Sequence, residues 1–241
     1  MSNLHNISDF LIGNRYPGRG ILIGRAVNKN SLFVAYFIMG RSENSRNRVF
    51  VRTDDGIKTV AADPSKLTDP SLVIYHPVRK LGDALIVTNG DQTDTIRDAL
   101  SAGRKFHGSV MSREFEPDPP IYTPRISAIL RRGGAFTIAI AKNVGADTPT
   151  PAHYFFEFAN PETGVGRFIS TYAHDGNPPP SFSGEPVAVA LPETLDALCD
   201  GLWSALDEDN KVALYVREVD IATGDCVADA IVNKYTLLET Q

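Results

Sequence analysis

The sequence predicts an α+β fold of stacked sheets flanked by helices. Three observations carry this. Short apolar runs recur in adjacent pairs, each closed by Gly, Pro, Asn or Asp punctuation. Only about two stretches show helical spacing over any length. No internal repeat or flexible linker divides the 241 residues, so a single domain over 1–241 is expected, with 1–15 as a lead-in.

The elements follow in order. After a Tyr-Pro-Gly-Arg-Gly turn at 16–20, the apolar runs 21–23 and 32–39 flank Asn28-Lys29-Asn30-Ser31 and read as a hairpin of buried strands. Residues 49–52, 72–75 and 84–88 read as further short strands. A helix is expected from about Thr93, capped by Asp91 or Thr93. Its stripe is Ile96, Ala99, Leu100, Gly103 and Phe106. A proline-rich loop at 116–124 precedes strands 126–130 and 136–141, turned at Arg132-Gly133-Gly134. Residues 154–158 and 168–172 read as partners of one another across 161–166. The clearest helix is 193–206, with Leu195, Leu198, Cys199, Leu202, Trp203 and Leu206 on one face and Pro192 suited to its first turn. A hairpin of 212–219 against 227–235 ends the chain.

Composition narrows the function classes. A net charge of −5 argues against a nucleic-acid binder, which needs a broad basic face. The longest apolar run, 32–39, is far short of the ~20 residues of a membrane helix. No signal peptide is apparent, so the cytoplasm is the expected location. Two cysteines and five scattered histidines do not form a zinc-ligand pattern, and no metal or cofactor is expected. Gly18 to Gly24 imitates a dinucleotide fingerprint, but the last glycine is one place late and the segment leads into a strand. Ser2 would be an N-terminal nucleophile if Met1 were removed, yet a polar lead-in separates it from the first strand.

Three segments carry chemistry. Residues 40–48 hold Arg41, Arg46 and Arg48 against one Glu43, a local +2 in an acidic chain, with Ser45 and Asn47 between them. Arginine forks with Ser and Asn donors suit a phosphomonoester; a solvated turn fits the same composition. The second segment, 87–94, places Asn89, Gly90, Asp91 and Thr93 at a strand end before a helix. That arrangement suits a phosphate, ribose or amide edge, or simply an Asn-Gly turn with a cap. The third, 113–126, sets Glu116, Tyr122 and Arg125 on a proline-stiffened loop that can supply a general base and an oxyanion partner.

These segments, with Asp-Pro-Ser-Leu-Val-Ile-Tyr at 69–75 and Tyr-Thr-Pro-Arg-Ile at 122–126, resemble in this order the archaeal-type IMP cyclohydrolases and their bacterial relatives. The motifs, beginning with Tyr-Pro-Gly-Arg-Gly, span 16 to about 130, with weaker similarity to the C-terminal end. It implies a four-layer αββα sandwich like that of N-terminal-nucleophile hydrolases, without a processed nucleophile. It also implies dehydrative closure of 5-formamidoimidazole-4-carboxamide ribotide to inosine monophosphate (IMP). The partner implied is that small purine ribotide, and a homo-oligomer is expected. On this reading Arg19, Arg41, Ser45, Asn47, Arg48, Asn89, Gly90, Asp91 and Thr93 bind substrate. Tyr75, Glu116, Tyr122 and Arg125 move protons or stabilise an oxyanion, although Tyr75 fits a core tyrosine equally well. A C–N amide hydrolase on the same fold and a non-catalytic purine-nucleotide binder are the alternatives. The lead-in and the long arginine loop depart from the archaeal pattern and leave the individual arginine roles open.

Overall fold

Strand periodicity dictates the layers. In a computed structural model describing residues 4–27 and 30–238, the strand β2 (Ser31–Met39) is buried along its whole length. Its alternate residues Leu32, Val34, Tyr36 and Ile38 enter one core, while Phe33, Ala35, Phe37 and Met39 enter another. A strand with period two can serve two apolar layers only from the middle of a sandwich. Ser2, Asn28 and Lys29 lie outside the described residues.

Two antiparallel sheets result. The six-stranded sheet runs β11 (Val187–Ala190), β10 (Val165–Ser170), β1 (Arg19–Arg25), β2, β12 (Lys211–Asp220) and β13 (Cys226–Asn233). The seven-stranded sheet runs in chain order through β3 (Arg48–Thr53), β4 (Gly56–Ala61), β5 (Val78–Leu81), β6 (Ala84–Thr88), β7 (Arg125–Leu130), β8 (Phe136–Asn143) and β9 (Pro151–Phe158). Between them lie Ile21, Val34, Tyr36, Leu85, Val87, Ile126, Ile138 and Tyr215. The helices pack on the outer faces. The helices α3 (Gln92–Ser101) and α4 (Phe106–Met111) put Ile96, Phe106 and Val110 onto Ile86, Ile129 and Ala139. The helix α5 (Leu195–Ala205) lays Leu195, Leu198, Cys199 and Leu202 on Leu22, Phe37, Leu214 and Val216. Full burial of one such side chain contributes ~1.5–3 kcal/mol. No helix among the described residues is long and apolar enough to cross a membrane.

Several sequence expectations need correction. Residues 72–75 form no strand; they turn, and Tyr75 is pinned by its amide to the Thr59 hydroxyl at 2.8 Å. The runs 154–158 and 168–172 belong to different sheets. β9 pairs with β8, whereas β10 pairs with β1 and β11. Proximity in sequence suggested a hairpin, but β9 forms the edge of the seven-stranded sheet while β10 lies inside the other, between β1 and β11. The helix from Gln92 stops at Ser101, because Gly103 at φ +74 closes it and leaves Phe106 to begin α4. Pro192 stands outside α5, whose cap is the Thr194 hydroxyl accepting from the Ala197 amide. The lead-in is partly ordered: α1 (Ser8–Leu11) buries Leu11 against the α5 side of the sheet. β4, β5 and β11 were not anticipated.

Candidate active site

The antiparallel order brings one set of strand ends to one end of the sandwich. β1 and β7 begin there with Arg19 and Arg125, and β3 begins there with Arg48. β2 runs out there toward Arg41, β6 toward Asn89 and Gly90, and β10 toward Tyr172. A cavity of about 320 Å³ opens between them, within the range of small-molecule sites. Its wall includes Tyr16, Arg19, Arg41, Ser45, Glu116 and Tyr172.

At its floor, Glu116 is 2% exposed and its carboxylate lies 4.0 Å from the buried Arg19 guanidinium. Burial pushes the Glu116 carboxyl above the usual carboxylate range, although Arg19 and Arg125 pull the other way. Its amide is held by the Thr123 carbonyl at 2.8 Å, which fixes the loop under the cavity. The Arg19 Nε is buried and without a hydrogen-bond partner. A guanidinium left short of an acceptor beside a cavity is arranged for an acceptor that enters with a ligand.

Asp91 occupies the N-terminal position of α3 but caps nothing, correcting the expected role. It accepts from Arg125 at 2.8 Å and, on both carboxylate oxygens, from Arg113 at 2.6–2.7 Å. Burial works against its charge, and the two arginines outweigh that, holding the carboxyl below the usual range. Arg125 also donates to Gln92 Oε1 at 2.7 Å. Thr93 likewise caps nothing; its hydroxyl meets that of Thr88 at 2.6 Å. The Asn89 amide is engaged by the Pro124 carbonyl, the Ile126 amide and Gln92.

Gly90 has a steric reason. A methyl there would lie 2.7 Å from Gln92 Oε1, 2.9 Å from Arg125 Nη1 and 3.3 Å from Glu116 Oε1. Gly90→Ala therefore forces Arg125 or Glu116 off its rotamer at roughly 0.5–1.5 kcal/mol. We expect turnover to fall by up to about tenfold with folding preserved; steady-state rates beside a melting curve check this, and an unchanged rate would separate Gly90 from the site.

The other nominated residues divide. Arg48 is fully buried and does not line the cavity; it donates to the Ser45 and Met39 carbonyls, which ties the loop after β2 to β3. Its Nη1 has no partner, and burial lowers its pKa. Asn47 is committed by both amide atoms to the Asp63 backbone. It borders a separate cavity of about 490 Å³ with Arg46, Lys66 and Tyr235. That larger space gathers no buried acid. Arg41 and Ser45 do line the site mouth. Ser45 and Ser42 form the reciprocal cap of the short helix α2 (Glu43–Arg46). Arg41 lies 4.5 Å over the Tyr16 ring and pairs with Asp175 at 2.9 Å.

Tyr75 is buried, and its hydroxyl meets that of Tyr36 at 2.8 Å. Tyr122 takes a left-handed backbone at φ 48 and packs edge-on against Phe115, outside the cavity wall. The tyrosines that line the cavity are Tyr16 and Tyr172. No sequence signal marked Tyr172: it falls at the end of an apolar run and reads as core. Tyr36 was hidden in the same way. Among the described residues no group of three or more His, Cys, Asp or Glu is placed to hold a metal ion.

Comparison with known proteins places the chain in a family. The chain is similar to the IMP cyclohydrolase of Methanopyrus kandleri, 31% identical over 160 residues, which are 65% of this chain and 75% of the relative. The Methanococcus aeolicus protein of that name is 26% identical over 161 residues, covering 65% and 74%. That of Methanococcus maripaludis is 32% identical over 135 residues, covering 53% and 64%. The family described as IMP cyclohydrolase-like protein matches residues 16–224, which contain every residue of the cavity wall, and the chain belongs to that family.

Proposed function

We propose that this chain closes the six-membered ring of a purine ribotide, converting 5-formamidoimidazole-4-carboxamide ribotide to IMP with loss of water, the activity named for its relatives. The observation that carries the reading is the buried pair of Glu116 and Arg19 at the floor of the cavity.

The chemistry asks little more. The carboxamide nitrogen must attack the formyl carbon, and an amide nitrogen is a poor nucleophile. Both groups stand on one imidazole ring, so holding the formamide rotated toward the amide supplies much of the acceleration. The formyl oxygen gains negative charge as the bond forms, and the Arg19 guanidinium, short of an acceptor, is positioned to receive it. Glu116, whose proton burial retains to higher pH than usual, gives that oxygen a proton. Arg125 and Asp91 brace Gly90 against the carboxyl. The ribotide phosphate is assigned to the mouth, to Arg41 with Ser42 and Ser45.

The two layers of sheet with outer helices support an αββα architecture of the N-terminal-nucleophile hydrolase kind, as one unit. An amide hydrolase would need a free activated hydroxyl. Thr123, the hydroxyl beside a carboxylate in this wall, is engaged by both Asp118 and Tyr172. Mixing purified protein with the formamido ribotide should give one IMP per substrate consumed. Release of formate with return of the unformylated ribotide would instead identify a hydrolase, and tight IMP binding without turnover would identify a binding protein.

A further inference from the structure

We propose that Tyr172, Thr123 and Asp118 form a proton relay that accepts the carboxamide proton during ring closure. It rests on the ring-closing reading above and supplies the base that Glu116, acting as acid, cannot be at the same moment.

Three contacts fix its direction. The Asp118 carboxylate takes the Thr123 amide on one oxygen at 2.7 Å and the Thr123 hydroxyl on the other at 2.5 Å. A carboxylate only accepts, so Thr123 gives Asp118 its single hydroxyl proton. The Thr123 oxygen also meets the Tyr172 hydroxyl at 2.7 Å, and it can only accept there. Tyr172 therefore spends its own proton on Thr123 and turns lone pairs toward the cavity it lines. A group of that polarity recognises an N–H or O–H donor. Thr123 and Tyr172 are both buried, so water does not compete along the chain. Stacking on Tyr16, with ring centroids 5.6 Å apart, holds the Tyr172 ring in place.

The step balances. As the nitrogen–carbon bond forms, the carboxamide proton moves to the Tyr172 oxygen, the Tyr172 proton to Thr123 and the Thr123 proton to Asp118. Glu116 meanwhile protonates the formyl oxygen. In dehydration the relay runs backward and returns a proton to the departing hydroxyl, while the Glu116 carboxylate takes the proton of the former formamide nitrogen. Water thus leaves with one proton's worth from each nitrogen, and both groups are reset. Burial pushes the Tyr172 phenol up to about 12, so a free tyrosinate is costly and the three transfers are concerted.

The test compares Thr123→Val with Thr123→Ser, measuring kcat and the affinity for IMP. The valine variant should lose roughly 10²-fold or more in kcat, with IMP affinity near wild type, and serine should restore most of the rate. Valine and serine variants with equal kcat, whether both active or both impaired, would overturn the relay. If the valine variant fails to fold, Tyr172→Phe carries the same comparison: it should bind IMP and lose kcat, and retention of kcat counts against the proposal. Wild-type protein without ring closure would remove the functional reading and the relay together, whereas an active wild type with an equally active Thr123→Val removes the relay alone.

Discussion

Glu116→Gln should lower kcat by ~10²–10⁴-fold while leaving IMP affinity close to wild type. Gln keeps the size and one carbonyl acceptor but cannot give up a proton to the formyl oxygen. The ground state, in which no proton has moved, loses little. The loss therefore falls on kcat and equally on kcat/KM. Steady-state kinetics with the formamido ribotide, paired with IMP titration, separates this from a structural role. The same variant reads the buried acid independently of turnover. Burial raises the folded-state pKa of Glu116 above its unfolded value. Wild-type stability from this group is therefore full below the usual carboxyl pKa and is lost as pH rises through the folded pKa. Gln has no such loss. Melting temperatures of the two should coincide at acid pH and separate in favour of Gln as pH rises. Parallel curves across the pH range would show that Glu116 is an ordinary carboxylate.

Arg41→Ala should raise KM and weaken IMP binding by about one to two decades, equivalent to roughly 1.5–3 kcal/mol for a charge-assisted bond, with kcat nearly unchanged. The phosphate is remote from the formyl carbon and unaltered by ring closure, so its clamp binds ground and transition states alike. In the free protein Arg41 pairs with a half-exposed Asp175, a contact worth little in water. A dianionic phosphate competes well for the same fork. Inosine, which lacks the phosphate, should bind wild type and Arg41→Ala equally. Arg41→Lys should recover only part, because an ammonium lacks the fork. Equal weakening of inosine and IMP would move the clamp elsewhere. Arg48→Ala should instead lower stability, because its removal strands the Ser45 and Met39 carbonyls that it binds from within.

Much of this fold was legible where side-chain period and turn chemistry act locally. The β1–β2 hairpin, the hairpin of β7 and β8 and the stripe of α5 could be placed from the residues alone. Pairing between distant strands was not legible. β9 and β10 look like a hairpin in sequence, and only their long-range partners, β8 for the one and β1 for the other, separate them into different sheets. β5 escaped notice because its middle residues are Arg79 and Lys80, whose charges are met by Asp55, Asp94 and Asp225 from other parts of the chain. The site divides along the same line. Segments 40–48, 87–94 and 113–126 supplied the arginines, the glycine and the acid. Which arginine faces the cavity depended on register: Arg41 stands past the end of β2 at the mouth, while Arg48 opens β3 and turns inward. Tyr172 and Tyr36 read as apolar strand residues, since a buried hydroxyl shows its use only when its partner comes from another part of the chain.

The structure of the protein with IMP bound tests the central claim most directly. The phosphate should lie at the mouth against Arg41, Ser42 and Ser45. The C2 carbon, once the formyl carbon, should lie toward the floor, with Glu116 and Arg19 on one side and the Tyr172 oxygen within hydrogen-bond reach of N1, about 2.6–3.2 Å. IMP in the cavity bordered by Arg46, Lys66 and Tyr235, or bound with its base at the mouth and its phosphate on Arg19, would contradict the account.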